Sequence, residues 1–305
     1  MVGFEGAAVL RRAAAVAALA GFACMAAELT AVRVLAPHFG DSAYVWTNVI
    51  GVILAALALG AWLGGRLAGS SAGFRRAGLA LVGGALGIAV APWLAPWLGG
   101  WLLPAGLPLD TAMPTMVRGS FVATFVLFAP AMVCIGAVSP LLVTAVVQAG
   151  NEVGRAAGAL GAAGTLGSLA GTFAATHWLV PTFGCRLAMA VAAALLVVAS
   201  LTLPRPRRPL GVLALLVGVA ATALLPRGSL APAGAGERLL AEVESRTQFL
   251  QVLRSSDEPA RIRLRINEGL DSYHSLAIEG SSFTAGAYYD WHALAPFLCE
   301  GGVGA

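Results

Sequence analysis

Apolar runs of about twenty residues or more recur along the first two thirds of this chain, and they limit its fold more than any other feature. They fall at 13–36, 44–68, 77–103, 118–149, 156–181 and 183–203, with a shorter run at 208–225. A helix needs ~20 apolar residues to cross the hydrocarbon core of a bilayer. No water is present there to satisfy backbone N–H and C=O groups, so such segments cross as helices. The expected architecture is an α-helical transmembrane bundle of about 6–7 spans over residues 1–225. Arg11 and Arg12 precede the first run as they would in a cleavable signal peptide. That run continues past the small residues near Ala27 and further runs follow, so the first helix is read as retained.

The charges divide the chain at the same place. Residues 1–226 hold 12 Arg and 5 Asp/Glu, while the last 79 residues hold 7 Arg and 10 Asp/Glu. The first part is therefore solvated by lipid and the second by water. All 19 basic residues are arginine and they stand mainly at the ends of apolar runs. Such placement orients a bundle in its membrane. It lacks the basic patches with stacking aromatics that nucleic acid requires, so no nucleic-acid partner is expected. Arg11/Arg12, Arg66/Arg75/Arg76 and Arg205/Arg207/Arg208 fall on alternate loops, which the positive-inside rule assigns to the cytoplasm. Cys24, Cys134, Cys185 and Cys299 show no metal-ligand spacing, so neither zinc nor a disulfide is indicated.

Small residues recur four apart in "GALGAAGTLGSLAGT" (158–172), at Gly164/Ser168 and Gly167/Gly171, and again at Gly60, Gly64 and Ala68. Spacing of this kind lets helix backbones approach closely in lipid, and tight packing is the reading it favours over a glycine-lined path. Two charged residues lie within the first span. Glu28 is well inside it and Arg33 is nearer its end, with an offset of five residues that turns them away from i,i+4 pairing. Each is expected to find a partner on another helix, and for Glu28 the nearest candidates in sequence are Arg33 and Asn48. A cation or proton site at Glu28 is the sharper alternative. His177 and Trp178 read as an interfacial anchor.

The water-soluble tail opens with a Pro/Gly/Ala linker, "PRGSLAPAGAG" at 226–236. A small β-rich domain is expected over 237–305. "QFLQVLR" (248–254) reads as a strand and "SSDEP" as a turn. "RIRLRIN" (261–267) alternates strictly, with Ile262, Leu264 and Ile266 on one face and three arginines on the other, as in a half-buried strand. "NEG" (267–269) makes a second turn. Trp291, Leu294, Ala295 and Leu298 then form one stripe of a short helix.

These residues carry a resemblance. "ESRTQFLQV" (244–252), "LRINEGLDSYHS" (264–275) and "AYYDWHALAP" (287–296) look like the small N-terminal β-domain of spermidine synthases. More closely, the chain resembles bacterial membrane proteins that fuse a transporter-like bundle to a spermidine synthase-like domain. "AAELTAVRVLAPHFGDSAYVWT" (26–47), "LGAWLGGRLAG" (59–69) and "GRAAGALGAAGTLGSLAGTF" (154–173) are similar to spans of that group. The resemblance implies a multi-pass protein of the bacterial inner membrane, with the lipid bilayer, polyamines and nucleosides as partners and self-association as an open class. It implies that Gln248 lies beside the aminopropyl donor, decarboxylated S-adenosylmethionine, a co-substrate rather than a cofactor held by this chain. Tyr288, Tyr289 and Asp290 would stand at the mouth of the polyamine site. This sequence has tyrosine where the family has histidine, and no clear match to the family's second glutamine.

The final "GGVGA" follows a helix end rather than a strand. It is therefore read as the turn before a doubly wound, Rossmann-like methyltransferase-type domain, not as a nucleoside loop. The chain is expected to be C-terminally truncated and to lack aminopropyltransferase activity by itself. Two function classes follow: a membrane-anchored aminopropyltransferase-type protein of polyamine metabolism, and a polytopic transporter or binding module for polyamines or related small molecules. Seven full spans would put the tail after residue 226 outside, and an even number would keep it in the cytoplasm. Because the enzyme's amine and nucleoside substrates are cytoplasmic, the tail is expected on the cytoplasmic face, with 208–225 or one long segment departing from a simple single span.

Overall fold

Each long apolar run folds as a helix, and the positions where the runs stop are set by local chemistry. The structure, a computed structural model, describes residues 2–69, 72–103, 109–204, 229–245, 247–267, 274–281 and 290. Helix α1 (Val2–Phe39) ends at Gly40, whose φ of 76° is the left-handed conformation that closes helices, and the Gly40 N–H donates to Ala36 O at 3.0 Å. Ser42, in extended conformation, is the N-cap of α2 (Ala43–Leu67). Then come α3 (Gly73–Leu102), α4 (Leu109–Leu127), α5 (Ala129–Gln148), α6 (Val153–Ala174), a π-helical turn (Ala175–Leu179) and α7 (Val180–Thr202).

By length and composition, 5 helices can cross a membrane: Gly6–Phe39, Ala43–Leu67, Gly73–Leu102, Ala129–Gln148 and the 50-residue stretch Val153–Thr202. The last is broken at Gly184, where φ 77° and ψ 170° are not helical. Large apolar side chains cover the outside of the bundle. Leu54, Trp62, Trp97, Phe125, Leu166 and Phe173 are each more than half exposed, an arrangement suited to lipid and unfavourable in water.

Two boundaries differ from the hydropathy reading. The run expected at 118–149 begins at Leu109, and α4 passes into α5 without leaving the helical ladder: Phe128 N donates to Thr124 O and Met132 N to Phe128 O. The runs at 156–181 and 183–203 are joined through the π turn, because no polar loop separates them. The shorter run at 208–225 lies outside the described residues.

Contacts between helices fix their directions. Asn151 Nδ2 donates to Gly6 O at 3.1 Å, so the start of α1 meets the α5–α6 turn. A methyl group on Gly78 would touch Leu203, placing the start of α3 beside the end of α7. At the other end of the bundle, the Arg186 guanidinium lies 4.5 Å over the Trp93 ring and His38 packs on Gly99. The α1–α2 turn, the end of α3 and the start of α7 thus share one end. The starts of α1, α3 and α6 share the opposite one.

After the bundle, β1 (Glu237–Glu244), β2 (Phe249–Ser255), β3 (Arg261–Ile266) and β4 (Ser275–Ile278) form an antiparallel sheet in the order β1-β2-β3-β4. Strand β1 was not expected from the sequence, and its alternation is inverted. Leu240 and Val243 are about half exposed, at 47% and 53%, whereas Glu237, Glu242 and Glu244 are half-buried. Glu237 accepts from Arg263 at 3.1 Å and from Arg265 at 3.3 Å. The arginine face of β3 is therefore no simple solvent face. Its Arg263 and Arg265 sit opposite Leu253 and Gln251, both buried. The stretch read as a linker is also packed in part, since Leu230 and Ala231 are buried. The helix expected near 291–298 lies outside the described residues.

Candidate functional site

The sheet does not hang free of the bundle. Glu244, the last residue of β1, accepts a hydrogen bond from Cys185 N at 2.7 Å. That amide follows the break at Gly184 and opens the straight part of α7, where a carboxylate both satisfies a free N–H and opposes the positive end of the helix dipole. Gly184 suits the place twice over. It adopts a positive φ, and a side chain there would press on the Glu244 carboxylate. Arg186 donates to Ser229 O at 3.3 Å, Arg33 donates to Ser245 O, and Asn267 Nδ2 donates to Asp41 Oδ2 at 3.1 Å. All four contacts lie at the end of the bundle that holds the α1–α2 turn.

A cavity of about 220 Å³ lies at this junction. Its apolar side comes from Leu29, Val32 and Ala36 of α1, with Ala175 of the π turn and Val180 of α7. Its polar side comes from Arg33, Asp41, Trp46, Thr176, Thr247 and Asn267, and Phe249 completes the wall. The π turn contributes Ala175 and Thr176 to the cavity wall. Single π turns of this kind often accompany functional sites. Asn267 has a left-handed φ of 57° and holds the sheet's edge of the cavity in shape. Its Oδ1 accepts from Phe249 N at 2.9 Å while its Nδ2 reaches Asp41.

The residues singled out from the sequence fall in different places. Gln248 is half-buried in the turn between β1 and β2, with Thr247 and Phe249, its neighbours, on the cavity wall. The Gln248 backbone is tied to Ser245, whose N–H donates to Gln248 O at 2.9 Å and whose Oγ accepts from Gln248 N at 2.9 Å. Arg33 lines the cavity, donates to Ser245 O of the β-domain and lies beside Cys185 of α7. Glu28 is buried, at 9% exposure. Of its candidate partners, Arg33 donates to Ser245 O, and Asn48 Nδ2 donates to Val117 O and Ser120 Oγ, both at 2.8 Å. Tyr288 and Tyr289 lie outside the described residues, and Asp290 is half-buried.

Sequence reasoning missed Asp41, Trp46 and Asn267 as one group. Asp41 and Trp46 flank a short turn and Asn267 ends a strand, and nothing in their spacing announces that a domain boundary brings them together. Chemically the cavity offers a carboxylate, a guanidinium, an amide and an indole beside a mostly apolar wall. An alkylammonium can set its charge against Asp41 and its methylenes on the apolar side, with the Arg33 cation on the same wall. Comparison with family models, with curated proteins and with solved structures returned no match to this chain.

Proposed function

We propose that the chain is a multi-pass protein of the bacterial inner membrane, crossing six times before Pro204, whose strand domain is spermidine synthase-like and which handles di- or polyamines. The six crossings count α4–α5 as one pass and α6 with the π turn and α7 as two, divided at Gly184. The observation that carries the functional reading is the junction cavity. It sets Asp41 and Trp46 beside the β1–β2 turn that bears Gln248, the residue that the resemblance associates with an aminopropyl donor. On this reading an amine occupies the cavity, and aminopropyl transfer from decarboxylated S-adenosylmethionine is the activity toward which the resemblance points.

Titration calorimetry of the purified chain in detergent, with spermidine and putrescine, tests the site. Spermidine is expected to bind, and Asp41→Asn is expected to weaken it by at least about tenfold, or 1.4 kcal/mol. That variant can still bond Asn267, so the loss would report charge rather than folding. Equal affinity in wild type and Asp41→Asn would sink the amine site. A second reading, a transporter or binding module, is favoured by the fact that most of the cavity wall belongs to helices α1, α2 and α7 and the π turn rather than to the sheet. Uptake of labelled spermidine into vesicles carrying the chain separates the two readings.

A further inference from the structure

The side of the membrane from which the cavity is filled depends on the helix directions and on where the positive residues stand. Positive residues crowd one end of the bundle. Arg11 and Arg12 lie near the start of α1, Arg66, Arg75 and Arg76 around the α2–α3 turn, and Arg155 at the start of α6. Arg76 donates to Leu67 O there, so this turn is itself closed by an arginine. At the opposite end, Arg33 and Arg186 each donate to a backbone carbonyl of the β-domain. The end rich in arginine is the cytoplasmic one by the positive-inside rule.

The β-domain sits at the other end. Four contacts fix it there independently: Cys185 with Glu244, Arg186 with Ser229, Arg33 with Ser245, and Asp41 with Asn267. The chain nevertheless leaves the bundle at the arginine-rich end, because Leu203 at the close of α7 packs toward Gly78 near the start of α3. Between Arg186 and Leu203 the helix rises about 25 Å at 1.5 Å per residue. Pro204 and Ser229 therefore stand at opposite ends of the bundle. The sequence between them contains the apolar run 208–225.

We infer that the β-domain and the junction cavity face the extracytoplasmic side, opposite the arginine-rich end of the bundle, and that the cavity takes its ligand from outside the cell's interior. This is the reverse of the sidedness that cytoplasmic amine and nucleoside substrates suggest. A nucleoside donor made in the cytoplasm has no direct route to a cavity on the other face. The binding or transport reading gains accordingly over the transferase reading. The sidedness rests on helix directions and arginine placement alone, and it stands whether or not the cavity takes an amine.

Single cysteines at two exposed positions of the chain test it. Asp257→Cys is in the β2–β3 turn and Glu152→Cys in the α5–α6 turn, both exposed. In intact spheroplasts, a membrane-impermeant maleimide is expected to label Asp257→Cys above the wild-type background and to leave Glu152→Cys unlabelled until the membrane is opened. The reverse pattern, or labelling of both positions from one side, overturns the inference. Should either variant fail to accumulate, alkaline phosphatase fused after Ala305 provides the same reading without touching the fold. Phosphatase activity in intact cells is expected, and an inactive fusion that accumulates to full level overturns it. Calorimetry with spermidine is a separate measurement, so failure of the amine site leaves this result untouched and the converse also holds.

Discussion

Gly60 and Gly64 of α2 show how little room single residues have in this bundle. A Cβ on Gly60 would run into the Val133 backbone, and one on Gly64 would lie 2.6 Å from Ala137 O. Gly167 and Gly171 of α6 meet the Ala18 and Phe22 backbones of α1 in the same way. The spacing of these glycines was legible as close helix packing because a four-residue repeat is a property of one helix alone. Gly65, one position on, has nothing within 4 Å. Gly60→Leu is therefore expected to destabilise the bundle by at least the ~1–3 kcal/mol typical of overpacking, whereas Gly65→Leu should be close to neutral. Thermal unfolding of the two variants in detergent, followed by the loss of the monodisperse peak, checks the contrast. Glu28 is the opposite case. Its depth could be read from the sequence, but the direction in which Arg33 and Asn48 turn depends on elements far away in the chain.

Among the elements, the helices were legible and β1 was not. Hydropathy summed over twenty residues is a strong local signal, while "ERLLAEVE" has neither strict alternation nor an apolar inner face. A register shift between Leu239 and Ala241 puts the two halves of the strand out of phase. The inward positions hold carboxylates whose partners come from β2, β3 and the bundle. Gln251 sits at the centre of that polar layer, fully buried, donating through Nε2 to Ala231 O at 2.7 Å, Ser229 Oγ at 2.8 Å and Glu242 Oε2 at 3.0 Å. Removing a partner from a buried polar layer strands the others, at a cost of about 1–3 kcal/mol. Gln251→Leu should then raise amide hydrogen exchange in β1 and β2 while leaving α1 to α7 unchanged. Unaltered exchange in both strands would show that the polar layer contributes nothing to the sheet.

At the scale of the whole molecule, a few polar contacts join the sheet to the bundle. Glu244 ties β1 to the first free amide of α7, so Glu244→Ala should loosen the sheet without disturbing the helices. Limited proteolysis within residues 229–255 is expected to accelerate by about tenfold, equivalent to 1.4 kcal/mol, with Glu244→Gln between the variant and wild type. Equal cleavage rates in all three proteins would mean that the contact does not hold the domain. What the sequence determined by itself is the division between a lipid-solvated helical part and a water-solvated strand part, together with the helix–helix faces. These follow from composition and spacing within single segments, where the physical cause is local. The merging of α4 with α5, the break at Gly184, the carboxylate-lined β1 and the cavity that joins Asp41, Trp46 and Asn267 were decided only by tertiary structure. Each depends on groups distant in the chain satisfying one another's hydrogen bonds and charges, and such pairings leave no periodic trace in the segments they connect.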